Sequence, residues 1–161
     1  MKKHQGILAS DIMLKFPSGT AVPAFPEWVA NHVGLESVLG LAGFLDPEFF
    51  EVNGHVFWDQ HVAERLAQVQ ISTPFGDDST TVERYFNTIN LAEFFLAAAD
   101  AAVHCDDLIH AFGLVLQRFW SRALRERFPD HQYRFEIVHD LFQEEGLCLT
   151  FWRERANPGA F

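Results

Sequence analysis

Apolar residues recur at helical spacing most clearly between residues 106 and 128. The apolar positions are Cys105, Leu108, Ile109, Phe112, Val115, Leu116, Phe119, Trp120 and Ala123. Two aspartates begin this segment and several arginines lie near its end, as the helix dipole favours. Pro129 follows and cannot continue a helix. We therefore predict that residues 106–128 form the longest helix, with this arc facing the core.

Residues that alternate in character, with a period of two, predict two antiparallel hairpins, at about residues 48–58 and 132–153. In the first, Asn53-Gly54 separates two arms rich in β-forming residues. That dipeptide predicts a two-residue type I′ turn, which pairs Phe50 with Phe57. In the second, alternate residues of both arms are apolar and residues 140–146 form a longer loop.

Shorter helical patterns occupy the rest of the chain, at residues 27–44, 59–70 and 79–102, the last broken near residues 87–90. Separate runs of helices and hairpins predict an α+β fold, in which a small antiparallel sheet built from the two hairpins packs against helices. The length of 161 residues predicts a single globular domain. An irregular N-terminal arm of about residues 1–25 and a short tail of about residues 156–161 complete it.

Phenylalanine dominates the aromatic residues, with 17 Phe against 4 Trp and 2 Tyr. Phe carries no polar group, so this composition predicts a dry core. Five rings do not fit a one-sided apolar pattern: Phe49, Phe50, Phe57, Phe94 and Phe95. They are either covered by the N-terminal arm and neighbouring helices or exposed as a surface for a partner.

The formal net charge of −10 argues against nucleic-acid binding, which needs a basic surface. No apolar stretch reaches the length of a membrane span, so we expect no membrane association. The two cysteines, Cys105 and Cys148, form no disulfide framework, which fits a cytoplasmic protein. Charge is uneven, because seven of the nine arginines lie beyond residue 117.

Two clusters have residue types that bind metals. One comprises His104, Asp106, Asp107 and His110, but its two histidines point away from each other on a helix. The other comprises His55, Asp59 and His61, which would need further ligands such as His139 or Asp140. Since Asp59 equally suits a helix cap, we assign no metal site and expect no cofactor.

Three arginines, Arg118, Arg122 and Arg125, share the solvent side of the predicted long helix. Guanidinium groups bind carboxylates and phosphates bidentately. We therefore name these three residues, together with Phe49 and Phe57, as the candidate partner-binding set. A solvated helix face is the alternative interpretation.

No nucleophile motif, glycine-rich phosphate loop or paired-carboxylate pattern is present, so no catalytic residue is assigned. The first functional hypothesis is a small acidic protein that acts by binding another protein, in an adaptor role or like a bacterial immunity protein or antitoxin. The alternative is a small-molecule-binding domain or metal-dependent hydrolase with a Phe-lined pocket near His55, His139 and Tyr85. A homodimer through the excess Phe rings is a third possibility.

Overall fold

The computed structural model describes residues 7, 10–16, 25–69, 73–98 and 101–155. The predicted N-terminal arm lies largely outside these ranges, and the predicted tail lies wholly outside them. The α-helices are α1 (Phe25–His32), α2 (Leu35–Leu45), α3 (Gln60–Leu66), α4 (Ser79–Phe86) and α5 (Asp106–Arg127). The strands are β1 (Phe50–Val52), β2 (His55–Phe57), β3 (Ile89–Asn90), β4 (Gln132–Leu141) and β5 (Glu144–Glu154). Short 3-10 helices span Ser10–Lys15, Glu93–Ala98 and Ala101–His104.

The fold is α+β with small antiparallel sheets, as the pattern predicts. The hairpins do not join into one sheet, however. β1 and β2 form a two-stranded sheet, whereas β4 and β5 join β3 in a three-stranded sheet of order β3-β5-β4. β3 has only two residues, too few for a period of two to reveal it in the sequence.

The first hairpin has the predicted register, with Phe50 opposite Phe57. Its turn residues have positive φ, 52° at Asn53 and 77° at Gly54, as a type I′ turn requires. The second hairpin is longer than predicted, because β4 and β5 continue until Leu141 pairs with Glu144. Phe142 and Gln143 make this tight turn at φ 54° and 81°, without the Asn-Gly signature.

The three-stranded sheet packs against α5, which begins and ends within a residue of its predicted bounds. Trp120 is fully buried at the centre of the contact and packs edge-on against Phe49 and Phe151, at centroid distances of 6.0 and 6.1 Å. Gly113 brings the helix close to the sheet. A Cβ there would lie 2.8 Å from Leu91 Cδ1 and 3.1 Å from Ile137 Cδ1.

Other segments depart from the expectation. Of the helix predicted at residues 59–70, the structure has α3, and the described residues Glu93–Ala98 and Ala101–His104 form 3-10 helices where an α-helix was expected. Phe119 was predicted to face the core, but it is 38% exposed. The apolar arc of α5 is thus wider than the face that the sheet covers, and a residue at its edge remains in solvent.

A buried carboxylate connects the two sheets. Glu83 on α4 is fully buried, and it accepts hydrogen bonds from the backbone N–H of Val56 on β2 (3.1 Å) and of Arg153 on β5 (2.7 Å). The guanidinium of Arg155 donates to both carboxylate oxygens, each at 2.9 Å. One side chain therefore satisfies donors from β2, from β5 and from the residue that follows β5.

Asn87, one turn further along the chain, extends this connection. Its side-chain amide donates to the carbonyl of Val56 (2.9 Å) and to that of Phe151 (3.2 Å). Thr150 on β5 is also buried and donates to the carbonyl of Arg84 at 2.7 Å. Since buried polar groups are costly unless paired, these bonds specify how α4 sits against both sheets.

We expect Glu83→Ala to lower the free energy of unfolding by about 3–5 kcal/mol, the usual cost of removing one partner of a buried ion pair. The substitution leaves two backbone donors and the Arg155 guanidinium without their acceptor. Urea denaturation followed by circular dichroism measures the change. Glu64→Ala, at an exposed position on α3, is the control and should cost less than about 1 kcal/mol. Equal effects of the two substitutions would contradict the role of Glu83.

Candidate functional site

The three arginines of the predicted stripe are exposed on α5 but have different surroundings. Arg122 donates through Nε to Glu126 at 2.7 Å, and this pairing raises the pKa of Arg122. Arg118 and Arg125 form no ion pair with the described part of the chain. Arg125 lines a groove between the end of α5 and the start of β4. Of the three arginines, Arg125 is therefore the one that is both without an ion pair in the described chain and part of a groove.

The phenylalanines named for partner binding lie inside the fold. Phe57 is fully buried with Leu66 and Val82, so it presents no surface to a partner. Phe49 is half-buried against the main core, and the Arg127 guanidinium lies 5.7 Å from the centre of its ring. Burial by neighbouring elements thus accounts for both rings.

The remaining three ambiguous rings follow the same trend. Phe50 packs on the cluster around Phe57, and Phe95 packs on the main core. Phe94 stays 40% exposed, although its ring lies 4.6 Å from that of Phe44. Of the two alternatives for these five rings, packing inside the fold applies to four, and Phe94 alone among the five remains exposed.

The expected pocket shared by His55, His139 and Tyr85 is not formed. His139 pairs with Leu147 near the start of β5, whereas His55 lies beside Glu83, which bonds to Arg153. A strand rises about 3.3 Å per residue, so the two histidines are roughly 20 Å apart along β5. Tyr85 is half-buried and packs against other rings, those of Phe75, Phe86 and Phe142.

The residues of the two candidate metal clusters do not come together as a metal site in the described chain. Asp59 caps α3, accepting from the backbone N–H of His61 (2.7 Å) and of Val62 (3.3 Å). At the start of α5, Asp107 pairs with Lys15, and this contact lowers the pKa of Asp107. Within residues 7–155 as far as they are described, no group of three His, Cys, Asp or Glu side chains is placed to hold a metal ion.

Four of the exposed large apolar residues in the described chain lie on α2. This helix is mainly apolar, with the sequence LESVLGLAGFL, and none of its residues is buried. Leu35, Val38 and Leu39 are 73%, 39% and 62% exposed, and Ala42 is exposed as well. They occupy positions i, i+3, i+4 and i+7, which lie on one side of a helix. We call these four residues the α2 stripe.

The C-terminal end of α2 is anchored in the core, whereas Leu41, on the side away from the stripe, is itself 48% exposed. Phe44 lies about half a helical turn from the stripe and packs among aromatic rings, including that of Trp120 at 5.7 Å. The indole N–H of Trp120 donates to the carbonyl of Phe44 at 2.9 Å. Just beyond the helix, Asp46 pairs with Arg127 at 2.9 Å. These contacts fix the helix so that its stripe faces outward.

Acidic residues flank α2 along the chain. From residue 16 to residue 64 the chain has no Lys or Arg. It has seven acids there: Glu27, Glu36, Asp46, Glu48, Glu51, Asp59 and Glu64. Glu36 lies in the first turn of α2, and Asp46 and Glu48 follow its end. The α2 stripe is thus an apolar surface with an acidic margin.

Comparison with protein-family models, with curated proteins and with solved structures gives no match to this chain. Within the residues that the structure describes, no helix is both long and apolar enough to cross a membrane. The chemistry of the described surfaces is therefore the basis for a functional proposal.

His55 gives a prediction about pH. Its Nδ1 atom is buried without a hydrogen-bond partner in the described chain, 3.8 Å from Glu83 Oε1. Burial lowers the pKa of His55 below its usual 6.5; the Glu83 charge opposes this and the Arg155 charge adds to it. The unfolded chain then binds the proton more readily, so His55 reduces stability as pH falls below about 6.5.

We therefore expect the free energy of unfolding to decrease less steeply between about pH 7.5 and 5.5 in His55→Gln than in the unsubstituted protein. Urea denaturation at several pH values measures this slope. His61→Gln is the matched control, because the His61 side chain is 92% exposed. A slope that changes in the control but not in His55→Gln would contradict the assignment.

Proposed function

We propose that this protein acts by binding another protein, and that the α2 stripe receives an amphipathic helix with basic flanks. The observation that carries the proposal is the exposure of Leu35 and Leu39 on a helix whose C-terminal end is anchored in the core. Soluble monomers rarely leave a contiguous apolar surface without a partner. A helix laid on such a face is a common mode of peptide recognition.

Charge selects the partner. The margin formed by Glu36, Asp46 and Glu48 favours Lys and Arg on the partner and speeds its association. A second copy of this chain is disfavoured, because it would bring together two segments that each have seven acids and no Lys or Arg. An adaptor role, or inhibition of a basic partner in the manner of an immunity protein or antitoxin, fits this chemistry. We propose a cytoplasmic location on the same basis.

A defined peptide tests the proposal. The probe is a fluorescent helix of Leu and Lys about 14 residues long, near the lower limit for helix formation in water. We expect saturable binding by anisotropy that weakens as salt rises from about 50 to 500 mM, because salt screens charges. Leu39→Asp should weaken it at least about tenfold, or roughly 1.4 kcal/mol. Leu114→Asp, at a 45% exposed leucine of α5, should leave it unchanged.

Three results would overturn the proposal. They are absence of saturable binding, equal weakening by Leu39→Asp and Leu114→Asp, and equal affinity for a peptide with Glu in place of Lys. Sedimentation velocity tests whether a second copy of this chain occupies the stripe instead of a peptide. A dimer that dissociates in Leu39→Asp would assign the stripe to a second copy of this chain instead.

A further inference from the structure

A polar groove of about 540 Å³ lies on another side of the molecule. It is formed where α5 ends and β4 begins, beside the end of β5. Its lining residues are Ser121, Arg125, Pro129, His131, Gln132, Tyr133, Arg134 and Glu154. A volume of this order accommodates a small organic molecule.

The groove is locally cationic in an acidic chain. Arg125 makes no ion pair with the described residues, so its guanidinium is available. Arg134 is held only by Glu154, through one hydrogen bond of 2.8 Å from Nη2 to Oε1. Two arginines against one carboxylate leave a net positive charge. Arginine is the side chain best suited to carboxylate and phosphate groups.

Two of the residues that line the groove also have an unpaired polar atom in the protein interior. His131 Nδ1 and the Tyr133 hydroxyl are both buried, and neither finds a hydrogen-bond partner in the described chain. Burial, assisted by the charge of Glu83, raises the pKa of Tyr133, so its hydroxyl remains a donor at ordinary pH. Buried polar atoms without partners are rare in folded proteins, but these two lie behind the surface of the groove, so the exposed arginines provide its contacts to a ligand.

This groove is separate from the α2 stripe. Arg127 turns towards α2, where it pairs with Asp46, whereas Arg125 lines the groove. Two residues correspond to about 200° around a helix, so these arginines point to nearly opposite sides of α5. Binding at the groove therefore does not depend on the proposed function of the stripe.

We infer that this groove binds a small organic anion through Arg125 and Arg134, and that the anion displaces the carboxylate of Glu154. The displaced contact is a surface ion pair, with side chains 63% and 41% exposed, and such pairs contribute little to stability. Glu154 thus occupies Arg134 while the groove is free and competes with the ligand. Carboxylates and phosphates share the oxyanion chemistry that the two guanidiniums recognise.

Titration of the full chain tests this inference. The probes are succinate and phenyl phosphate, with uncharged succinamide as the control, and ¹⁵N–¹H spectra report on the amides of residues 131–134. We expect saturable chemical-shift changes with one or both anions and none with succinamide. The anion that binds more tightly shows whether the natural ligand carries a carboxylate or a phosphate group. Arg125→Gln should weaken binding at least about tenfold, as loss of a charged hydrogen bond does. Glu154→Gln should strengthen it by removing the competitor.

Arg118→Gln is the matched control, an exposed arginine of the same helix that does not line the groove. It should leave the affinity unchanged. The inference fails if no anion gives saturable shifts, if Arg118→Gln and Arg125→Gln weaken binding equally, or if Glu154→Gln weakens binding. Each variant changes an exposed side chain, and its amide spectrum shows directly whether it is folded.

Discussion

The buried carboxylate of Glu83 is the interaction on which the arrangement of this fold depends. In the described chain the two sheets share no strand pairing. Glu83 on α4 joins them by accepting from Val56, Arg153 and Arg155, and Asn87 adds bonds to both. A carboxylate out of water is tolerated only when its oxygens are fully bonded. The first hairpin, α4 and the end of β5 must therefore come into place together, which makes this corner a cooperative unit.

The position of the first hairpin at that corner determines how the aromatic core packs and how α2 is oriented. With the hairpin fixed, Trp58 stacks on Trp120 at 5.6 Å, and Phe44 packs against both rings. Phe44 is the residue by which α2 is attached, so the orientation of α2 follows from the aromatic core. Attachment through one edge leaves the α2 stripe outward. The same buried bonds hold Arg155 inside, next to the end of β5 where Glu154 meets the polar groove.

Local signals predicted the elements well. Asn53-Gly54 requires positive φ, and the aspartates and arginines at the ends of α5 suit its dipole, so both elements could be placed from neighbouring residues alone. Glu83 could not be identified in that way. A glutamate and Asn87 four residues apart on a short helix are equally typical of a solvated face. Their burial depends on strands far away in sequence, as does the separation of the hairpins into two sheets.

The candidate surfaces could not be predicted from local sequence either, because ion pairs between distant residues determine which charges are free. The sequence shows seven arginines after residue 117, which suggest one basic surface. In the described chain, four of them are already paired with carboxylates: Arg122, Arg127, Arg134 and Arg155. Two of those carboxylates, Asp46 and Glu83, lie before residue 117, so tertiary contacts pair part of the late arginines with acids from earlier in the chain. Arg118 and Arg125 both lack an ion pair in the described chain, and Arg125 differs because it lines the polar groove, which sequence spacing does not reveal.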